Sequence, residues 1–226
     1  MAKQNNNQGT LEQEQTLNQK EALLVKHKKA IIGVIIAAIV LVAAFLLYKN
    51  YVAKPHEDKA STALGKGQQY FAENDFEKAL NGDGMGYAGF LKIASDYSGT
   101  DAGNLANALA GLSYAKQDKW QEAVNYLEKF DGADDQMISP AITAALGNCY
   151  AHLKQLDKAV DLLTKAAKKA DNNSLSPTFL IQAGEILESQ GKNAEALKLY
   201  QEVKEKYVNS MAYQTIDKYI ERVSEK

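Results

Sequence analysis

The sequence holds one cysteine, Cys149, so an intramolecular disulfide and a cysteine-based zinc site are both excluded. Its three histidines, His27, His56 and His152, are scattered, and none has a second ligand at i+3 or i+4. No metal site follows from them. Neither sign of charge dominates: the net charge is −2 with 24% charged residues, which argues against a strongly basic nucleic-acid binder and an acidic disordered tail. From residue 60 onward there is almost no strand-like alternation. No Ser-His-Asp or Cys-His set stands at a recognisable spacing. Gly82, Gly84 and Gly86 resemble a phosphate loop in composition only, since no Gly-Lys-Ser/Thr follows and no strand precedes them. Asn81 and Asp83 do not begin a calcium loop, because Lys92 stands where the late carboxylate belongs. Cys149 lies inside a helical pattern beside Tyr150 and reads as a buried structural thiol. These absences leave no catalytic residue to name. No enzyme activity, cofactor, nucleic acid or small-molecule substrate is expected.

What is present divides into segments. Residues 1–29 are polar; the Gln- and Asn-rich stretch 1–20 cannot bury enough surface to offset its ordering entropy, so it is expected to be disordered or at most locally helical. Ala30 to Tyr48 is an uncharged apolar run of 19 residues. At about 1.5 Å per residue it spans roughly 28 Å, the thickness of a bilayer core. Lys26, His27, Lys28 and Lys29 stop it on one side, Lys49 and Lys54 on the other, with Tyr48 and Tyr51 at the interfacial level. A transmembrane helix over 30–48 is the expectation, with 49–59 as a juxtamembrane linker. A cleaved signal peptide, using Val42-Ala43-Ala44, is the alternative. The tight lysine cluster before the run places the N-terminus in the cytoplasm.

After residue 60 a spaced pattern repeats. A glycine is followed three residues on by Tyr or Leu, six later by an apolar residue, three later by Ala, then by a branched residue. It reads Gly67, Tyr70, Phe76, Ala79, Leu80, then Gly111, Tyr114, Trp120, Ala123, Val124, then Gly147, Tyr150, Leu156, Ala159, Val160. The fourth copy is Gly184, Leu187, Asn193, Ala196, Leu197, with Asn193 breaking the apolar position. Small Gly and Ala suit places where two helices cross closely, and Trp120 is expected to be buried where the helices of copy two meet. Ser139-Pro140 and Ser176-Pro177 fall at equivalent positions, each read as a Ser cap before a first-turn Pro. Asn74 and Gly191 fall at equivalent turns. The segment Asn81-Gly-Asp-Gly-Met-Gly86 interrupts the second helix of copy one before Phe90 and Ile93 resume its face. Ala212, Ile216, Tyr219, Ile220 and Val223 form one stripe, a terminal helix over 211–226 closing the last repeat face. The fold expected is all-α: an N-terminal transmembrane helix, then four degenerate repeats over 60–210 as an α-solenoid, then a capping helix.

This register resembles the tetratricopeptide repeat. The resemblance implies that the first helix of each hairpin lines a peptide-binding groove. Carried onto this chain, the groove positions are Leu105, Ala108, Leu112, Ala115 and Lys116 in copy two. Copy three supplies Ala141, Ala144, Asn148, Ala151 and His152, and copy four Thr178, Ile181, Glu185, Glu188 and Ser189. The two-lysine clamp that such repeats use for a carboxyl-terminal peptide is absent, since Ala141 and Ala144 stand at the basic positions. The groove reads as apolar at its centre and acidic toward copy four, open to polypeptide or already filled by a neighbouring helix such as the terminal one.

The layout as a whole, with an N-terminal anchor, the juncture Tyr48-Lys-Asn-Tyr-Val-Ala-Lys and then degenerate repeats, is similar to the YfgM-like ancillary subunits of the Sec translocon. That resemblance implies a bacterial inner-membrane protein with a periplasmic repeat domain, partnered by the translocon, secreted chains and periplasmic chaperones. Two alternatives stay open: a structural organiser of the cell envelope that binds folded partners, and an organelle import receptor of opposite topology.

Overall fold

The computed structural model describes the backbone of residues 5–224 and the side chains from His27 to Ser224. The chain divides into two compact units, Met1–Pro55 and His56–Lys226.

The first unit is one helix, α1 (Asn5–Tyr48), followed by a π-helical turn over Lys49–Ala53. Its described part carries a window of mean hydropathy 3.2 in which no residue is buried. By length and composition it can cross a membrane. The polar residues 5–29, for which composition offers no core, are helical and continuous with the apolar run. Gln, Glu, Lys and Leu lose little rotamer freedom in a helix, and extending a formed helix adds one hydrogen bond per residue fixed.

The second unit is built wholly of helices among its described residues. They are α2 (Lys54–Ala72, belonging here from His56), α3 (Phe76–Asn81), α4 (Phe90–Asp96), α5 (Asp101–Ala115) and α6 (Trp120–Leu127). There follow α7 (Ile138–His152), α8 (Leu156–Ala170), α9 (Ser176–Ser189), α10 (Asn193–Lys206) and α11 (Ile216–Ser224). From α4 to α11 each helix packs chiefly on its neighbours in sequence, the signature of a solenoid.

The repeated small residues account for the hairpins. Ala79, Ala123, Ala159 and Ala196 are all fully buried, one in each second helix. A methyl placed on the facing glycine would lie 2.1 Å from Tyr87 Oη at Gly67, 2.6 Å from Leu127 at Gly111 and 2.3 Å from the Tyr200 ring at Gly184. At Gly147 the nearest atoms, in Ala159, Leu162 and Leu163, are 3.2 Å away. At Gly111 and Gly147 the facing alanine's carbonyl oxygen would lie 3.0 and 3.2 Å from that methyl, a close backbone crossing, whereas at Gly67 and Gly184 an aromatic side chain takes the space.

In copies two, three and four the wedge against the glycine comes from the residue four after the alanine: Leu127, Leu163 or Tyr200. In copy one that position is Asp83, inside the glycine-rich insertion. Asp83 leaves the core and organises the loop: it accepts hydrogen bonds from the backbone N–H of Met85 (2.8 Å) and Tyr87 (2.9 Å) and from Tyr70 Oη (2.9 Å). The missing wedge is supplied from the far side of the insertion by Tyr87, buried, with its hydroxyl donating to the Ala79 carbonyl at 2.7 Å. Phe90 and Ile93 of α4 then resume the buried face, as the sequence pattern predicts.

Seven residues after each repeat glycine the chain turns through a left-handed residue. These are Asn74, Asp118, Lys154 and Gly191, with φ of 60°, 58°, 62° and 73°. The expected equivalence of Asn74 and Gly191 thus extends to all four copies. The opposite edge of the solenoid, where one hairpin hands over to the next, is stitched by side chains. Glu57 accepts from the N–H of Asp101 and Ala102, Asn104 exchanges two hydrogen bonds with the Asp131 backbone, and Asn172 Nδ2 donates to Gln136 O.

Ser139 and Ser176 are not the helix caps that their sequence position suggests. They sit inside the first turns and are buried, and the cap residues Met137 and Leu175 make no side-chain cap bond. The residue four before each serine does the capping instead. Asp135 accepts from the N–H of Met137, Ile138 and Ser139, and Asn172 Oδ1 accepts from the N–H of Ser174 and Leu175. The serine hydroxyls pin those loops, Ser139 Oγ to Asp135 and Ser176 Oγ to Ala167 O. At the far end α11 buries Ile216 and Val223 and packs on α10, closing the last repeat.

Candidate functional site

A cleft of about 600 Å³ opens between the first helices of copies two, three and four. Ala115 of α5 and Lys116 just after it, Trp120 of α6, Ala145, Asn148 and His152 of α7, and Gln182, Glu185 and Ile186 of α9 line it, with Cys149, Ala151 and Ser189. No residue of α11 contributes, so the terminal helix closes the solenoid without entering the cleft.

One end is organised by Trp120. The side chain is half-buried, which corrects the expectation of a core tryptophan. Trp120 is the first residue of α6 and lies at the turn, where its ring stacks on His152, with 3.7 Å between centroids and 6° between planes. His152 is the last residue of α7, so the stack couples copies two and three through two helix termini. Farther along, Asn148 Nδ2 lies 3.5 Å from Gln182 Oε1, a long contact joining α7 to α9 across the floor. Lys116 stands toward the α5 side and Glu185 toward the α9 side, so the lining is cationic at one end and anionic at the other. Cys149 is in the floor but almost wholly buried, and burial pushes its thiol up to about 11, so it stays protonated and unreactive.

Of the fifteen groove positions expected from the repeat register, Ala115, Lys116, Asn148, Ala151, His152, Glu185 and Ser189 line this cleft. Ala108 and Ala144 do not: both are buried in the helical core. Each stands three residues before its repeat glycine and so shares the glycine's inward face. Leu105, Leu112, Ala141 and Ile181 are half-buried and outside the cleft lining, the two leucines and Ile181 packed against the core clusters. The stripe on α7 that does face outward is Ala141, Ala145, Asn148 and His152, an i, i+4, i+7, i+11 series. Counting that series from His152 would have found Ala145; nothing in the spacing marks Trp120 or Gln182.

The chain belongs to the tetratricopeptide repeat-like domain family, whose model matches residues 24–223. Among solved structures it is similar to two of a Podosopora anserina protein described as a kinesin light chain with nearly identical TPR-like repeats. Each has a TM-score of 0.57, with 14% and 13% identity, covering 75% of this chain and 87% of the other. At that identity the likeness is one of fold. No curated protein matches the sequence. The repeat fold makes the chain a protein–protein interaction module.

Proposed function

We propose that this chain is a single-pass membrane protein of the bacterial inner membrane, its N-terminus in the cytoplasm and its repeats in the periplasm. There it serves as an ancillary translocon subunit or chaperone adaptor that holds extended segments of secreted polypeptide. The observation that carries the reading is the uncovered cleft across α5, α7 and α9. It has a floor of small and aliphatic side chains, and two amide side chains, Asn148 and Gln182, placed to exchange hydrogen bonds with a peptide backbone. Apolar side chains of the ligand gain from leaving water, and the Trp120–His152 stack offers a flat face for an aromatic or aliphatic residue. The anchor is α1, and the lysines at 26, 28 and 29 set its orientation.

The test is photocrosslinking of the membrane-embedded protein to translocon components and emerging secreted chains, with the cleft filled by Ala145→Trp. Crosslinks should fall to background in this variant and persist in Lys119→Glu and Lys168→Glu, which lie outside the lining. If the filled cleft crosslinks as well as wild type while circular dichroism shows an intact fold, the cleft is not the binding surface. If wild type never crosslinks to the translocon, the ancillary-subunit reading fails and a folded envelope partner takes its place. A reporter active only outside the cytoplasm, fused after Lys226, checks the orientation.

A further inference from the structure

We propose that the cleft across α5, α7 and α9 selects extended segments that carry a carboxylate side chain and, about six residues away, a cationic one, an inference that rests on reading that cleft as the polypeptide site. Lys116 and Glu185 are the formally charged side chains of the lining, one in copy two and one in copy four. Both are exposed, and neither takes part in an ion pair among the described residues. Between them stand Ala145, Asn148 and Gln182, and the His152 ring is taken up by its stack on Trp120.

The repeat register sets the distance between the two charges. Lys116 stands five residues after Gly111, the place taken by His152 and Ser189 in the next two copies. Glu185 stands one residue after Gly184, the place of Leu112 and Asn148 in the copies before it. The charges are thus two first helices apart across the cleft and four residues apart along the helix axis. With neighbouring helix axes about 10 Å apart and a rise of about 1.5 Å per residue, the separation is roughly 20 Å. That is well beyond the Debye length of about 8 Å at physiological salt, so the two do not neutralise each other. An extended chain advances about 3.3 Å per residue, and about six residues bridge the gap.

Charged residues that follow closely in sequence are satisfied internally. Glu188, one turn after Glu185, is held by Arg222, and Lys192, past the end of α9, by Asp157. Lys119, one turn after Lys116, donates to Gln117 Oε1 at 3.0 Å. The two lining charges are left to a ligand. A wholly apolar segment would draw both out of water with nothing to pair them. A segment of one charge sign gains at one end of the cleft and is repelled at the other. Only a segment with opposite charges at the right spacing gains at both, so the cleft discriminates by exclusion as well as by attraction.

The experiment measures binding of synthetic peptides to the full chain in an uncharged maltoside detergent by fluorescence anisotropy, with the signal of empty micelles subtracted. Each peptide has blocked termini and the core Ala-Leu-Phe-Val-Ala, flanked by Glu and Lys, Lys and Glu, Glu and Glu, Lys and Lys, or Gln and Gln. The better of the two mixed peptides should bind wild type about three- to tenfold more tightly than the Gln peptide. The two like-charged peptides should gain nothing over it. The preference should follow the cleft: Glu185→Lys should favour the Glu–Glu peptide and Lys116→Glu the Lys–Lys peptide, with circular dichroism unchanged in both. Equal binding of all the peptides, lost in Ala145→Trp, overturns the charge selection and leaves the cleft as the polypeptide site. A preference that stays fixed when the two charges are changed also overturns it. Binding that survives Ala145→Trp, or no binding of any peptide, removes the cleft reading and the inference with it.

Discussion

Arg222, the single arginine of the chain, closes a two-point ion pair on Glu188: Nε lies 2.9 Å from Oε2 and an Nη nitrogen 2.7 Å from Oε1. The guanidinium also lies over the Tyr219 ring, 4.8 Å from its centroid, and Tyr200 Oη donates to the same carboxylate at 2.5 Å. The pair fastens the capping helix α11 to the end of α9, so α11 is tied back to the fourth hairpin.

Arg222→Ala should therefore destabilise the repeat domain. The Glu188 side chain is only 13% exposed, and removing its cation leaves a largely desolvated carboxylate with one fewer partner. Half-exposure of the guanidinium discounts the effect, and about 1–2 kcal/mol is expected in denaturant unfolding. Arg222→Lys should recover only part of it, since an ammonium cannot make the two-point fork. Equal stability of wild type and both variants would remove the clamp from the account.

The repeat glycines should separate by the room around them. Gly→Ala inside a helix gains about 1 kcal/mol in propensity. At Gly67 and Gly184 that gain is overwhelmed by clashes at 2.1 and 2.3 Å with buried Tyr87 and Tyr200, and a net loss of about 1–3 kcal/mol is expected. Gly147→Ala meets neighbours only at 3.2 Å and should be near neutral. Thermal midpoints of the three variants test the order; a Gly147 variant as damaged as the others contradicts it.

At the left-handed turns the order runs the other way. A non-glycine residue there costs about 1–2 kcal/mol, less for Asn and Asp, and replacing it with glycine gives back part of that against a more flexible unfolded chain. Lys154→Gly should stabilise by about 0.5–1 kcal/mol, Asp118→Gly and Asn74→Gly by less. Gly191→Ala should destabilise, and a chevron or equilibrium melt reads all four.

Acid should release the start of α7. Hydrogen bonds from Ser139 and from backbone N–H groups hold the Asp135 carboxyl down to about 2, against an ordinary value of 3.8. A folded-state value below the unfolded one gives stability that is present above about pH 4 and lost as pH falls toward 2. Asp135→Ala should cost about 1 kcal/mol at neutral pH, as loss of a helix cap does. The gap from wild type should close on acidification, and a gap that stays constant to pH 2 would show that the carboxylate charge is irrelevant.

The hairpins were legible because their signal is local. A glycine and an alanine twelve residues apart mark each crossing, and the same spacing survives the insertion in copy one. The caps are not legible in the sequence because Ser-Pro is a strong start signal in isolation. The competing Asp135 and Asn172 lie four residues upstream, in loops whose path depends on the neighbouring hairpin. The groove was half legible for the same reason. Lys116, Asn148, His152 and Glu185 follow from the register of single helices, whereas Trp120 reaches the cleft only because copy three brings His152 beneath it. Ala108 and Ala144 failed because a small residue suits an open groove and a tight crossing equally well. Only the position of the nearest glycine distinguishes the two.

The sequential packing of the helices has a consequence for the order in which the protein is made. Each hairpin finds most of its partners in the residue stretch just completed, so the domain can consolidate piece by piece as the chain is synthesised. The residues of α11, which make the Arg222–Glu188 clamp, appear after the fourth hairpin is complete. Until they do, the fourth hairpin keeps an uncovered face. A nascent chain therefore passes through a stage in which its growing end is sticky, and completion of α11 brings that stage to an end.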